Sequence, residues 1–296
     1  MEGGACGLRG MIEKSCNKLL VGKTWWKCGI VPGCLLGVGV MNLGKGEVDI
    51  MQKLENRIYR QLLGAQGYAP NATLRGEVGA SLMKTRVIDS KLTLVKGMLV
   101  SNSTLIKNVL TNVRGDVENP WNKKLNEYLT EVGLEYGDLE LMSKYQIKKK
   151  VRENDNKLWR EELEKLSSVG LYREFKLKVK DDGCYDNGFG SNLLYKARSN
   201  TLQLNDRKRH YKEDRDTSCR LCGEGMEDMI HFMLKCDKLT YRRNRVLIER
   251  TGGTTDKEIL GGLLFKDEFC KETKEMLVDL WKEREILIMI SDLGAG

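Results

Sequence analysis

Residues 219–236 read Cys219-Arg-Leu-Cys222-Gly-Glu-Gly-Met-Glu-Asp-Met-Ile-His231-Phe-Met-Leu-Lys-Cys236, a Cys-x2-Cys-x8-His-x4-Cys run. Zinc takes four tetrahedral sulfur or nitrogen donors, and a Cys-x-x-Cys turn lets two thiolates converge on one ion. Gly223 stands just after that turn, where the backbone needs relief. The chain has two histidines, and one of them falls between the paired and the single cysteine. Four protein ligands leave no coordination position open for water, so one structural Zn2+ is expected at Cys219, Cys222, His231 and Cys236. The competing reading, buried or redox thiols, calls for an oxidoreductase fold that the sequence does not suggest.

Glu227 to Lys235 is expected to be helical, with His231 near its start and Cys236 just past its end. Five residues of ideal α-helix set two side chains about 140° apart. The helix must therefore tighten or stop around Cys236. Met229, Phe232 and Met233 are candidates for the small apolar core beneath the ion.

Both flanks are basic. Lys196, Arg198, Arg207, Lys208, Arg209, Tyr211 and Lys212 precede the cysteines; Lys235, Lys238, Arg242, Arg243 and Arg245 follow them. Such groups neutralise phosphates, and Tyr211 or Tyr241 offers a ring for base stacking. The alternative is a solvated helix face balanced by acids such as Glu213 and Asp214.

The 296 residues carry a net charge of +8, with 41% hydrophobic and 31% charged residues and three prolines, which points to a helix-rich globular chain with polyanion partners. Nine cysteines in no framework spacing, without a signal-peptide pattern, suggest reduced thiols and an intracellular setting. The apolar run Cys28 to Met41 contains Pro32 and several glycines and falls short of the roughly 20 residues a membrane span needs. A membrane partner is not expected.

Upstream, Met51, Leu54, Ile58 and Leu62 recur at helical steps, with Lys53, Arg57 and Arg60 on other faces and Gly64 placed to end the helix. The glycine-broken apolar run at residues 33–40 reads as a buried strand or a tight packing element. Further helices are expected over 79–99, within 102–120, and in the charged stretch 121–180, whose basic clusters include Lys148, Lys149, Lys150 and Arg152. Asn119-Pro120 reads as a hinge. A capping box, Thr255 with Glu258, opens a helix, and another runs from Lys271 to about Ile290 with Leu277, Leu280, Trp281 and Ile288 inward.

Two motifs mislead. Gly22-Lys23-Thr24 imitates the end of a phosphate-binding loop, yet Asn17 stands where that loop needs glycine. Asp181-Asp182 sits in a polar turn, where a surface role is the simpler reading than metal-assisted catalysis. No catalytic constellation or small-molecule site is evident.

The stretches LENRIYRQLLGAQGYAPNATLRGEVGASLMKTRV (54–87), GLYREF (170–175) and LLYKARSNTLQLNDRKRH (193–210), followed by the cysteine segment, resemble the C-terminal region of non-long-terminal-repeat retrotransposon reverse transcriptases. KTWWKCGIVPGCLLGVGV (23–40) resembles the end of such a polymerase around its thumb. The resemblance implies a mainly α fold of bundle-like helices with a small CCHC zinc module: a thumb-like end at 1–63, a helical linker at 64–180, the zinc module at 181–250 and C-terminal helices at 251–296. In that family the region contacts nucleic acid, and the active-site aspartates would lie upstream of residue 1. The expectation is therefore a noncatalytic fragment that binds RNA and/or DNA, nuclear if it acts as the family does. The alternative is a zinc-stabilised protein-interaction module.

Overall fold

Apolar side chains at three- and four-residue steps prevail along the chain, and in the computed structural model they form helices, with no strand among the described residues. The structure describes residue 15 and residues 17–210 and 216–294. The helices run in order α1 (Lys18–Trp25), α2 (Val31–Cys34), α3 (Lys45–Leu63), α4 (Asn71–Val78), α5 (Met83–Leu99), α6 (Thr104–Gly115) and α7 (Pro120–Val132). They continue with α8 (Tyr136–Leu141), α9 (Lys144–Glu164), α10 (Gly170–Phe175), α11 (Phe189–Arg198), α12 (Arg245–Arg250), α13 (Asp256–Phe265) and α14 (Cys270–Gly294). The mainly α fold with a cysteine and histidine cluster near its end is thus observed.

The described residues form two compact units, 15, 20–58 and 78–162 in one, and 17–19, 59–77 and 163–294 in the other. The expected segments 181–250 and 251–296 fall in the same unit.

In the first unit α5 is central, packing against α6, α7 and α8 through a face that includes Val87, Leu92 and Val95. The buried Glu55 carboxylate accepts from Trp26 Nε1 and Arg86 Nη1, both at 2.8 Å, so the charge is paired and hydrogen-bonded as burial requires. Helix α9 buries Ile147, Val151 and Trp159, and its Asp155 accepts from Leu82 N and Thr85 Oγ1 at the start of α5.

Several local expectations are revised here. Residues 33–40 are a helical turn and loop. Their tight packing is real, because a side chain at Gly39 would meet Ser90 O at 3.0 Å. Asn119-Pro120 is a helix start and not a hinge: Asn119 Oδ1 accepts from Trp121 N, proline occupies the first turn, and both lie within one unit. Gly22-Lys23-Thr24 sits inside α1 and not at a loop leading into a helix.

In the second unit α14 packs along α11 and against α13, burying Leu193, Leu194, Leu263, Leu264, Leu277 and Leu280. The Thr255 capping box forms as the sequence indicates: Thr255 Oγ1 accepts from Glu258 N, and Glu258 accepts from Thr255 N. No helix of the described residues is long and apolar enough to cross a membrane.

Candidate metal centre

The Cys-x-x-Cys turn sits on a short hairpin. Cys219 N donates to Gly225 O at 2.9 Å and Glu227 N to Thr217 O at 2.9 Å, around an isolated antiparallel bridge between Ser218 and Met226. Gly223 and Gly225 hold φ of 73° and 61°, left-handed values that favour glycine. Gly223 N closes the turn onto Cys219 O at 2.8 Å.

Backbone donors converge on the sulfurs. Leu221 and Cys222 present their N–H groups to Cys219, Glu224 N donates to Cys222 Sγ at 3.4 Å, and Lys238 presents its N–H to Cys236. Such donors stabilise thiolates over thiols.

The other two ligands come from the turn after Ile230. Asp228 starts it, its Oδ1 accepting from His231 N at 2.7 Å. His231–Lys235 is wound as a π-helix, and Cys236 N donates to His231 O at 2.8 Å. The turn therefore stops before Cys236, as expected, but it gets there by widening instead of tightening. An i→i+5 turn is wider than an α-helical one and brings residue i+5 back toward residue i, which reduces the 140° mismatch of an ideal α-helix. The expected helix over Glu227 to Lys235 shortens to this turn and the two residues before it.

The four ligand atoms all lie within 4.8 Å of one another. Cys219 Sγ and Cys236 Sγ are 3.8 Å apart, and Cys222 Sγ and His231 Nε2 are 3.4 Å apart. A sulfur pair at that separation is far beyond disulfide bonding. A tetrahedron with metal–sulfur bonds of about 2.3 Å has sulfur–sulfur edges near 3.8 Å, and with a nitrogen at about 2.0 Å the mixed edge is about 3.5 Å. These two edges fit. Burial pushes the Cys219 thiol up, and burial together with the neighbouring Cys219 and Cys222 sulfurs pushes Cys236 up to about 12. Closely packed thiolates need a cation among them, and a bound divalent ion supplies it. The cluster can hold a metal ion.

Phe232 and Met233 are buried beneath the cluster, and Phe232 meets Trp281 of α14 edge-on at 6.1 Å between ring centroids. Buried Glu227 receives a two-pronged contact from Arg284 of α14, Nε to Oε1 at 2.7 Å and Nη2 to Oε2 at 2.9 Å, and also accepts from Asn205 N. Asn205 Nδ2 in turn donates to Ser218 O at 2.7 Å. Asn205, Glu227 and Arg284 are supporting residues that the sequence reading missed, and Trp281, expected only as an inward residue of its helix, is a fourth. The fork of Arg284 on Glu227 joins residues 57 apart, beyond the reach of any local motif.

The basic flanks divide. Arg198 is a correction: its side chain has no exposure, so it is no phosphate contact. It binds Glu77 Oε2 at 2.6 Å, Leu264 O at 2.5 Å and Asp182, with the Phe265 ring 5.3 Å away. Asp182 also pairs with Lys176, so the Asp181-Asp182 turn feeds an internal ion network. Arg243 donates to Met233 O at 2.9 Å and Phe232 O, capping the π turn. Arg207 packs over Tyr68 and donates to Asn200 O, and Lys196 is half-buried. Arg242 forks onto Glu283 and Lys235 pairs with Asp256, while Lys238 and Arg245 are exposed. Lys208 and Arg209 lie on the 3-10 turn Asn205–His210, and Tyr211 and Lys212 fall outside the described residues.

No family model, no curated protein and no solved structure matches the chain.

Proposed function

We propose that this chain is a noncatalytic nucleic-acid-binding module organised by one structural zinc ion. The observation that carries the reading is the closed Cys3His cluster, whose 3.8 and 3.4 Å edges suit zinc and whose four ligands leave no position for a reacting water. The net charge of +8 and the exposed Lys238 and Arg245 beside the cluster support an anionic partner, RNA or DNA. The resemblance to the C-terminal region of non-long-terminal-repeat retrotransposon reverse transcriptases gives the same direction and would place the protein in the nucleus.

The test has two parts. Elemental mass spectrometry of the purified chain should return one zinc per molecule. Oligonucleotide binding by anisotropy should weaken steeply between about 50 and 200 mM salt as counterions are released. A metal-free chain with an unchanged melting curve rejects the zinc assignment, and no binding at the lowest salt rejects the nucleic-acid assignment.

One observation favours a second reading, a protein-interaction module. Ile286, Met289, Ile290 and Leu293 form an exposed apolar row at helical spacing on the end of α14. Replacing this row by serines distinguishes the two, since nucleic-acid binding should survive it and protein docking should not.

A further inference from the structure

Several cations on the surface of the first unit are matched by acids: Lys84 pairs with Glu131 at 2.7 Å, Lys123 with Glu118 at 2.5 Å and Lys124 with Glu127 at 2.7 Å. Helix α9 has such pairs at Lys150 and Lys157 and, beside them, a cluster of cations without one. Its exposed side carries Lys144, Lys148 and Arg152 in one i, i+4, i+8 row and Tyr145 and Lys149 in the row beside it. Within the described residues, none of Lys144, Lys148, Lys149 and Arg152 is in an ion pair within 4 Å. The acids nearby are few. Asp89 of α5 lies near Lys148 and Arg152, and Glu153 is matched by Lys150 at 3.7 Å.

Tyr145 is 74% exposed, its ring standing beside the cations. Tyr145, Lys148, Lys149, Arg152, Glu153 and Asn156 line a shallow depression of ≈ 300 Å³. The opposite side of the same helix is fixed by Ile147, Val151, Trp159 and the Asp155 bonds to α5, so the positions of the rows are set by the core.

We infer that this side of α9 is a binding track for single-stranded nucleic acid, with Lys144, Lys148, Lys149 and Arg152 on successive phosphates and Tyr145 stacked on a base. The inference deepens the nucleic-acid reading above and rests on it, but it uses a surface in the unit that does not hold the metal. Three features select this occupant. The i, i+4 row sets a cation every ~6 Å along the helix, a step suited to the phosphates of an unstacked strand. An aromatic ring at the edge of a cationic row is the arrangement that binds single strands without reading sequence. A membrane surface fits poorly, because these rows offer no apolar side chain to insert beyond the tyrosine ring.

The experiment uses the full chain with its metal, 20-nucleotide single strands, heparin and anionic phospholipid vesicles. The triple variant Lys148→Ala, Lys149→Ala, Arg152→Ala changes exposed positions only, and its melting curve should match the parent. The slope of log K against log salt for single strands should fall in magnitude by about 2, at roughly 0.7 per lost phosphate contact. Tyr145→Ala should weaken single-strand binding about tenfold with the salt slope retained, and leave heparin binding unchanged. Wild-type affinity and slope in the triple variant overturn the track. So does vesicle binding in place of strand binding, or a Tyr145→Ala variant that binds strands like the parent. A parallel variant, Lys238→Ala with Arg245→Ala, separates the two surfaces. If it alone loses binding, the track on α9 fails while the wider reading stands, and if the unaltered chain binds no strand at low salt, both fail.

Discussion

At the residue scale the informative contrast is between Cys236 and Arg198. The place of Cys236 in the cluster is legible because it follows from side-chain chemistry and spacing within 18 residues of chain, 219 to 236. The role of Arg198 is not, because its partner Glu77 is 121 residues away and nothing local distinguishes an arginine bound for the interior. Burial alone would raise the Glu77 carboxyl. The charges of Arg198 and Lys176 and the hydroxyl of Tyr185 outweigh it and hold Glu77 below its ordinary 4.5. Arg198→Ala removes that compensation and leaves a buried charge, which should cost about 3–5 kcal/mol in a denaturant titration. Because Arg198 faces inward, the variant should keep the parent's salt slope for nucleic acid under conditions where it is folded. The sign of the acid response also follows. A carboxyl depressed on folding contributes stability that is complete above its unfolded value and lost as pH falls through the folded one. Acid unfolding of the parent should therefore sharpen below about pH 4.5, and Glu77→Gln should reduce that dependence; an unchanged acid profile in Glu77→Gln contradicts it.

At the scale of elements, end signals were the most readable. Thr255 and Glu258 share the expected capping box, whereas Asn119, expected as a hinge, and Ser103, not singled out in the sequence, also supply side-chain caps within one turn of the helices they start. Winding was not readable. The π turn at His231–Lys235 depends on where Cys236 must arrive, a requirement of the metal cluster that hydrophobic periodicity does not carry. The helix of α14 and its inward Trp281 were readable, but not its role, which is to brace the hairpin through Trp281 and Arg284. Arg284→Ala would leave Glu227, 1% exposed, without its charge partner. The expected outcome is a loss of about 3–5 kcal/mol and faster zinc release to a chelator, followed with a colorimetric dye. If zinc leaves the variant at the parent's rate, α14 does not support the centre.

At the scale of the whole molecule, the division into units escaped the sequence reading because both units are discontinuous. Residues 59–77 belong with 163–294, and Gly64, expected to end a helix, does so inside that unit. Glycine punctuates an element locally, whereas membership of a core is decided by partners such as Thr73 and Tyr195, whose hydroxyls lie 2.9 Å apart across 122 residues. Such a unit gives metal removal a specific pattern. The four ligands share one small apolar core with Phe232, Met233 and Leu239, and binding energy at structural zinc sites, on the order of 10 kcal/mol, is folding energy. Chelation should therefore open the hairpin and π turn first. Amide exchange should rise across residues 217–239 before it rises in α11, whose Leu193, Leu194 and Tyr195 are buried without metal contact. Simultaneous exposure of 217–239 and 189–198 would mean that the cluster holds the larger core together and is not a local brace. Unchanged exchange across 217–239 in a chain shown to have lost its metal would remove the structural role altogether.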